Sequence, residues 1–178
     1  MRYLIPFLIF STVAYADQPS PPTPPSAGNF VYIDQIGNSN NIVVYQEDSD
    51  QKRAAIITNG DSNDYSVVQQ GTGNHTALIG PTTSNTSTNS NNILSILQQG
   101  AGNHTASILF GNPISNSNND ASITQKGGVG ADKQFTLQLQ GSGIEAKVLQ
   151  DNPTTPDSGS MSIQCLSPPC SGYRYTKR

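Results

Sequence analysis

The residues best suited to chemistry in this chain are two histidines that stand in the same tetrapeptide, Asn-His-Thr-Ala. His75 and His104 occupy the equivalent position in its two copies. If the copies lie on neighbouring strands, the two imidazoles stack about 4.7 Å apart, and we expect them on the outer face. Such a pair can bind a metal ion weakly or respond to pH. Repetition of the sequence explains the pair without any ligand, and we predict neither a metal site nor a cofactor.

The two cysteines of the chain stand close together near its C-terminus. In an exported protein, Cys165 and Cys170 are expected to close a small disulfide loop. A structural metal site needs about four ligands, and the neighbouring sequence offers no histidine or further cysteine. No nucleophile, base and orienting group recur in a catalytic arrangement, and the acidic residues form no obvious pair. We therefore predict no catalytic residues and no enzymatic activity.

The composition favours order built on amide groups. Hydrophobic residues make up 34% of the chain and aromatic residues 7%, which is little for a conventional core. Only 12% of residues are charged, unlike the usual disordered chain with a high net charge. Asn, Gln, Ser and Thr (17, 14, 21 and 15 residues) account for 67 of 178. Chains of this kind gain order when side-chain amides form stacked ladders, and a net charge of -3 gives no reason to expect a nucleic-acid partner.

The N-terminal segment predicts export. Arg2 supplies a positive charge, residues 4–13 are apolar, and Ala14-Tyr15-Ala16 fits a cleavage site, so residues 1–16 have the pattern of a signal peptide. The apolar stretch is too short to span a bilayer as a helix. Residues 17–28 form a Pro/Ser-rich linker.

Residues 29–150 contain an internal repeat. The segments at 35–40, 69–74 and 98–103 all fit Q-x-G-x-x-N, and the longer element N-x5-Q-x-G-x-x-N recurs every 11 residues where no insertion intervenes. The N-x5-Q part has the length of a typical strand, and its Asn and Gln share a face with apolar positions between them. The glycine permits a tight turn. Each repeat therefore predicts a strand followed by a turn.

The repeat predicts an all-β fold, a parallel two-sheet β-solenoid of about five strand–turn–strand coils with a cross-β arrangement. The predicted strand pairs are 29–35/40–46, 52–58/63–69, 74–80/92–98, 103–109/119–125 and 133–139/144–150. Insertions at 80–91 and 111–118 fall at corresponding turns, as a solenoid tolerates. Residues 151–178 are predicted to be a C-terminal tail, and both flanks are expected to be disordered.

Two sets of residues define the predicted assembly. The ladder residues are Asn29, Gln35, Asn40, Gln46, Asn63, Gln69, Asn74, Gln98, Asn103, Asn119, Gln125 and Gln150. The turn glycines are Gly37, Gly60, Gly71, Gly100, Gly127 and Gly141.

These repeats resemble those of the curlin family, which follow S-x5-Q-x-G-x-x-N-x5-Q. The resemblance covers residues 29–150, with Asn29, Asn74 or Asn103 where the family has serine. It implies a parallel β-solenoid with inward Gln and Asn ladders. It also implies periplasmic chaperones, secretion through an outer-membrane pore, and polymerisation with itself and other curlin-like subunits. The product would be curli, the extracellular amyloid fibre of adhesion and biofilm matrix at the bacterial cell surface.

The fibre hypothesis also has a physical basis, because a solenoid ends in open strand edges that recruit further strands unless they are protected. Major, minor and nucleating subunits all remain open as roles. The alternative is a monomeric secreted β-solenoid that binds a surface or a glycan. Glycan binding should show a strip of exposed aromatic side chains, but Tyr32, Tyr45 and Tyr65 fall only in the first two coils.

Overall fold

The computed structural model describes residues 28–47, 51–81, 88–111, 116–128, 130–151, 153–165 and 170–177. The predicted signal peptide and nearly all of the linker lie outside these residues. Within them the chain forms strands and turns, and it contains no helix that is long and apolar enough to cross a membrane.

Twelve strands form two parallel six-stranded sheets, and one strand of each sheet makes up each coil. The first sheet contains, in spatial order, β1 (Phe30–Ile36), β3 (Arg53–Asn59), β5 (His75–Pro81), β8 (His104–Phe110), β11 (Lys133–Gln140) and β13 (Asp157–Gln164). The second sheet contains β2 (Asn41–Gln46), β4 (Asp64–Gln70), β7 (Ile93–Gly100), β10 (Asp120–Gly127), β12 (Ile144–Gln150) and β14 (Cys170–Lys177). Two short strands, β6 (Asn89–Ser90) and β9 (Asn116–Ser117), pair separately. We number the coils one (β1 and β2) to six (β13 and β14).

The predicted parallel two-sheet β-solenoid is confirmed, and its five strand pairs match coils one to five within two residues. Coil six is a correction, because residues 157–164 and 170–177 were predicted to be a tail. Its strands pair in parallel with β11 and β12. They carry no repeat motif, but Met161 and Ile163 continue the inner face of the first sheet. The disulfide bond between Cys165 and Cys170 joins the end of β13 to the start of β14.

The core is built from side chains stacked in register between the two sheets. Alternate residues of each strand face inward, so each inward position forms a column that runs through the coils. One column of the first sheet contains Ile33, Ile56, Ile79, Ile108, Leu137 and Met161. One column of the second contains Val44, Val67, Ile96, Ile123, Val148 and Tyr175. Apolar burial between the sheets therefore fixes the register of both.

The turns from the first sheet to the second share one backbone feature. Their last residue before the inward Asn adopts a left-handed conformation in coils one to four, at Ser39, Ser62, Asn91 and Asn118, with φ between 54° and 59°. In coil five the same position is Gly143. The two insertions, at 80–91 and 111–118, lie within this turn in coils three and four. Their last parts form β6 and β9, which pair with each other, and Asn116 Nδ2 donates to Asn89 Oδ1 at 3.0 Å. The described parts of the insertions thus preserve the turn geometry.

The predicted turn glycines are required by close approach of neighbouring coils. Gly37, Gly60, Gly71, Gly100 and Gly141 have φ between 94° and 139°, a region that favours glycine. A Cβ atom at Gly100 would overlap the carbonyl oxygen of Gly127. Gly127 itself ends β10 with an ordinary φ, and an added Cβ there would come within 2.7 Å of Ala131 O.

Candidate functional site: the ladders and the two ends of the solenoid

A glutamine ladder runs along the second sheet, as the repeat predicts. Gln46, Gln69, Gln98, Gln125 and Gln150 stand in register. Gln46 Nε2 donates to Gln69 Oε1, and Gln69 Nε2 to Gln98 Oε1, both at 2.8 Å. Gln150 Nε2 donates to Gln125 Oε1 at 2.7 Å. All but Gln46 are fully buried, so these amides depend on hydrogen bonds inside the protein. Gln150 Oε1, at the last coil of the ladder, is buried without a partner among the described residues.

Each ladder glutamine also joins the two sheets of its own coil. Its Nε2 donates to a backbone carbonyl oxygen of the first sheet, at distances from 3.0 to 3.4 Å. The five accepting residues are Phe30, Arg53, Thr76, Thr105 and Gln134, which themselves stand in one column. The ladder therefore works in two directions, between coils and across each coil.

An asparagine ladder precedes the second sheet. Asn63 donates to Asn40 Oδ1 through its backbone N and its Nδ2, both at 2.9 Å. Asn92 repeats both contacts to Asn63 Oδ1, and Asn119 N donates to Asn92 Oδ1 at 3.1 Å. The ladder ends at coil five, where Ile144 N donates to Asn119 Oδ1 at 2.9 Å.

Four predicted ladder residues lie outside these two ladders. Asn29 Oδ1 accepts a hydrogen bond from Lys52 N at 3.1 Å, in the first sheet. Gln35 is exposed at coil one, and its Nε2 donates to Gly37 O at 3.4 Å. Its partner in coil two is Thr58, and in coils four to six the same column contains Phe110, Leu139 and Ile163. The first sheet therefore has apolar side chains in these later coils where a second Gln ladder was predicted. Asn74 and Asn103 are also exposed. They stack outside the core, with Asn74 N donating to Asn103 Oδ1 at 3.1 Å.

The prediction that the two histidines lie on the outer face is wrong. His75 and His104 are fully buried, and their ring centroids lie 4.7 Å apart. They occupy the inward column that the spacing assigned to Asn74 and Asn103. By the register of the first sheet this column contains Asn29, Lys52, His75, His104, Lys133 and Asp157.

A signal for the correct frame was present in the sequence. His75, Ala77 and Ile79 alternate as an apolar face, and His104, Ala106 and Ile108 repeat it. The frame that begins at Asn74 runs instead through Thr76 and Leu78. Period-two apolarity therefore favoured the histidines as inward residues, but the N-x5-Q spacing outweighed it.

Burial keeps this histidine pair neutral. Desolvation lowers the pKa of His75 to about 4, and the nearby charges of His104 and Lys52 add to the effect. Desolvation also lowers the pKa of His104, partly opposed by its hydrogen bond to Gln99 and by Asp132. His104 Nε2 lies 3.1 Å from Gln99 O, and because a carbonyl only accepts, this nitrogen carries the proton. The backbone groups of Gly102 and Gly100 beside His75 partly oppose the lowering of its pKa. Lys52 Nζ is buried without a hydrogen-bond partner among the described residues.

The column ends in charged groups at coil six. Lys133 Nζ, fully buried, donates to Asp157 Oδ2 at 2.8 Å and to Thr155 O at 2.6 Å. Lys177 Nζ pairs with Asp157 Oδ1. Burial alone would raise the pKa of Asp157, but the hydrogen bonds and charges of the two lysines lower it below its ordinary value. Asp157 therefore stays ionised and closes the column at this end.

Coil one leaves the opposite end of the core open. Val31 is 43% exposed and Ile33 46%, whereas their neighbours in coil two, Ala54 and Ile56, are at most 1% exposed. Ile42 and Val44 on β2 are likewise only partly buried. Residues 28–47 contain no lysine or arginine. Among the described residues, nothing pairs with the outer edges of β1 and β2.

The described residues contain no cluster of three or more His, Cys, Asp or Glu side chains that could hold a metal ion. Among the described residues, coil one instead presents two unpaired strand edges, an uncovered apolar cross-section and two amide ladders. Comparison with protein families, curated proteins and solved structures finds no match to this chain.

Proposed function

We propose that this chain is an exported subunit of an extracellular cross-β fibre of the curlin type, which it joins by strand addition at coil one. The open end of coil one carries the proposal. A parallel strand edge with an uncovered apolar face pairs with further strands unless it is protected. Adhesion and formation of a biofilm matrix at the bacterial cell surface are the roles that such a fibre would serve.

The chemistry of coil one suits addition of another coil. Neutral amide and apolar side chains face the open end, and the Gln and Asn ladders already show how successive coils bond. A coil that stacked there would bury the exposed parts of Val31 and Ile33, and burial of apolar area contributes about 25 cal/mol per Å². It would also pair both strand edges at once.

The test is incorporation into fibres. The mature chain, fluorescently labelled, is incubated alone and with sonicated curlin-type fibres, and is followed by thioflavin T, sedimentation and electron microscopy. We expect it to sediment with the fibres. Ile33→Lys should weaken the binding constant for the fibres at least tenfold, because burying an unpaired ammonium costs more than the ~1.4 kcal/mol that corresponds to a factor of ten in that constant.

A matched control tests whether the effect of the added charge depends on its position at the coil-one end. Ser66→Lys adds the same charge on the outer face of β4, in the column where coil five already carries Lys147. This variant should bind like the wild type. A wild-type chain that stays monomeric for days, alone and with fibres, contradicts the proposal.

A further inference from the structure

The two ends of the solenoid are built differently. At coil six, Tyr175 packs against Phe135 of coil five, with ring centroids 4.9 Å apart. Gly159 leaves room for this contact, since a Cβ there would come within 2.7 Å of the Phe135 ring. The ion pairs of Asp157 with Lys133 and Lys177 complete the closure. Aromatic and charged groups thus lie across the last coil, whereas coil one presents apolar and neutral amide side chains.

The outer edge of β14 also carries features that protect exposed strands. The register between β12 and β14 is broken by an irregularity between Ile144 and Ala146. Arg174 stands directly beyond Lys147 and Lys177 beyond Gln150. Bulges and basic residues on an edge oppose further strand pairing. By contrast, β1 pairs with β3 over seven residues without any irregularity.

The hydrogen bonds of the ladders define what coil one can receive. Gln46 donates to Gln69, so by the same pattern a glutamine in an added coil donates to Gln46 Oε1. Asn63 N donates to Asn40 Oδ1, so Asn40 N requires an asparagine oxygen from the added coil. Because every pair in the two large sheets is parallel, the added coil is the last coil of the incoming subunit.

Coil six of a second copy does not meet these requirements. It would bring Lys177 to Gln46 and Cys170 to Asn40, yet Lys177 is paired with Asp157 and Cys170 with Cys165. The Lys177 ammonium can donate to Gln46 Oε1 only by losing the water around its charge. Cys170 has no side-chain oxygen to accept a hydrogen bond from Asn40 N. Acidic groups of coil one would attract the basic groups of coil six, but exposed ion pairs contribute little compared with buried hydrogen-bonding groups left unsatisfied.

We infer that coil one docks onto a different β-solenoid subunit, one whose last coil keeps Asn and Gln at the ladder positions, and that coil six then ends the fibre. The inference rests on the proposed function and deepens it, because it assigns this chain to a fibre terminus and states the chemistry of its partner.

The first experiment converts coil six into an extendable end. Arg174→Ser with Lys177→Gln restores the residues that earlier coils carry in these columns, namely Ser122 and Gln150. The double variant restores the glutamine ladder and removes both edge charges, while Cys170 stays opposite Asn40. We expect it to form thioflavin-positive fibres alone at least ten times faster than the wild type. The matched control, Arg174→Lys with Lys177→Arg, keeps both charges and should behave like the wild type. Circular dichroism checks that each variant is folded.

The second experiment measures termination directly. Wild-type chain is added in substoichiometric amounts to fibres that are elongating, either from the double variant or from curlin-type monomers on sonicated curlin-type seeds. Elongation should stop at the fibre pole that exposes a last coil, as followed on single fibres by fluorescence microscopy, and should continue at the opposite pole. The Ile33→Lys variant should stop neither pole. The curlin-type arm needs only wild-type chain, so it stands even if the double variant does not fold.

The outcomes separate the two proposals. Termination is overturned, and the fibre proposal stands, if wild-type chain alone forms long fibres as fast as the double variant. The same holds if it binds seeds and growth continues at the pole where it is bound. Wild-type chain that binds no fibre in either arm and does not assemble alone overturns both.

Discussion

Replacing Gly100 with alanine is expected to lower the free energy of unfolding by about 3 kcal/mol. Two effects combine at this position. Its φ is 107°, which disfavours a side chain, and an added Cβ would overlap the backbone of Gly127 in the next coil. Relief requires β7 and β10 to separate at their ends, where Gly100 and Gly127 are partners. Urea denaturation with an unchanged m value measures the loss.

Gly130 provides the matched control. Its φ is also positive, at 75°, but an added Cβ would meet no atom within 4 Å. Gly130→Ala therefore reports the conformational cost alone, about 1 kcal/mol. Equal losses in the two variants would show that close stacking of the turns contributes nothing.

Acidification is expected to destabilise the solenoid between pH 6.5 and pH 4. The unfolded chain binds a proton at His75 near pH 6.5, whereas the folded chain does so only near its lowered pKa of about 4. The unfolded state therefore binds more protons in this window, and stability rises with pH. Stability is complete above pH 6.5 and declines as the pH falls. The expected loss for His75 is on the order of 2 kcal/mol after allowance for solvent screening.

The control is His75→Asn, which places in coil three the residue that coil one has at Asn29. The readout is the slope of unfolding free energy against pH, since the smaller side chain also changes the absolute stability. His104, Lys52, Lys133 and Asp132 are the charged or titratable groups that act on the pair. An unchanged slope between pH 6.5 and pH 4 would mean that His75 is not the titrating group. The lowered pKa of Asp157 acts only below its ordinary value of 3.8.

The sequence was sufficient to predict the solenoid because the ladder glutamines and turn glycines recur at fixed spacing. Gln98 and Gly100 illustrate this, since each position requires one particular residue type. The inward frame of β5 and β8 was harder to predict. A single asparagine next to each histidine matched the spacing, and only side-chain apolarity further along the strand distinguished the two frames.

Coil six could not be predicted from the repeat, because none of its residues belongs to the motif. The sequence of coil six offers only two weaker signals. These are the apolar residues Met161 and Ile163 at alternate positions, and the short loop between the two cysteines. The repeat motif also could not predict that coil one is open and coil six is closed. Whether Val31 is exposed depends on what stacks above it, which is a property of the whole column and not of the local sequence.

The cross-sheet bonds of the ladder glutamines have a consequence for evolution. Each glutamine binds a backbone oxygen, and the residue that supplies this oxygen is phenylalanine, arginine, threonine or glutamine in different coils. The contact therefore constrains the side chain in the second sheet, which must be glutamine, but only the backbone in the first sheet. The side chains of this outer column can therefore change during evolution, and with them the surface of the protein, while the fold is conserved.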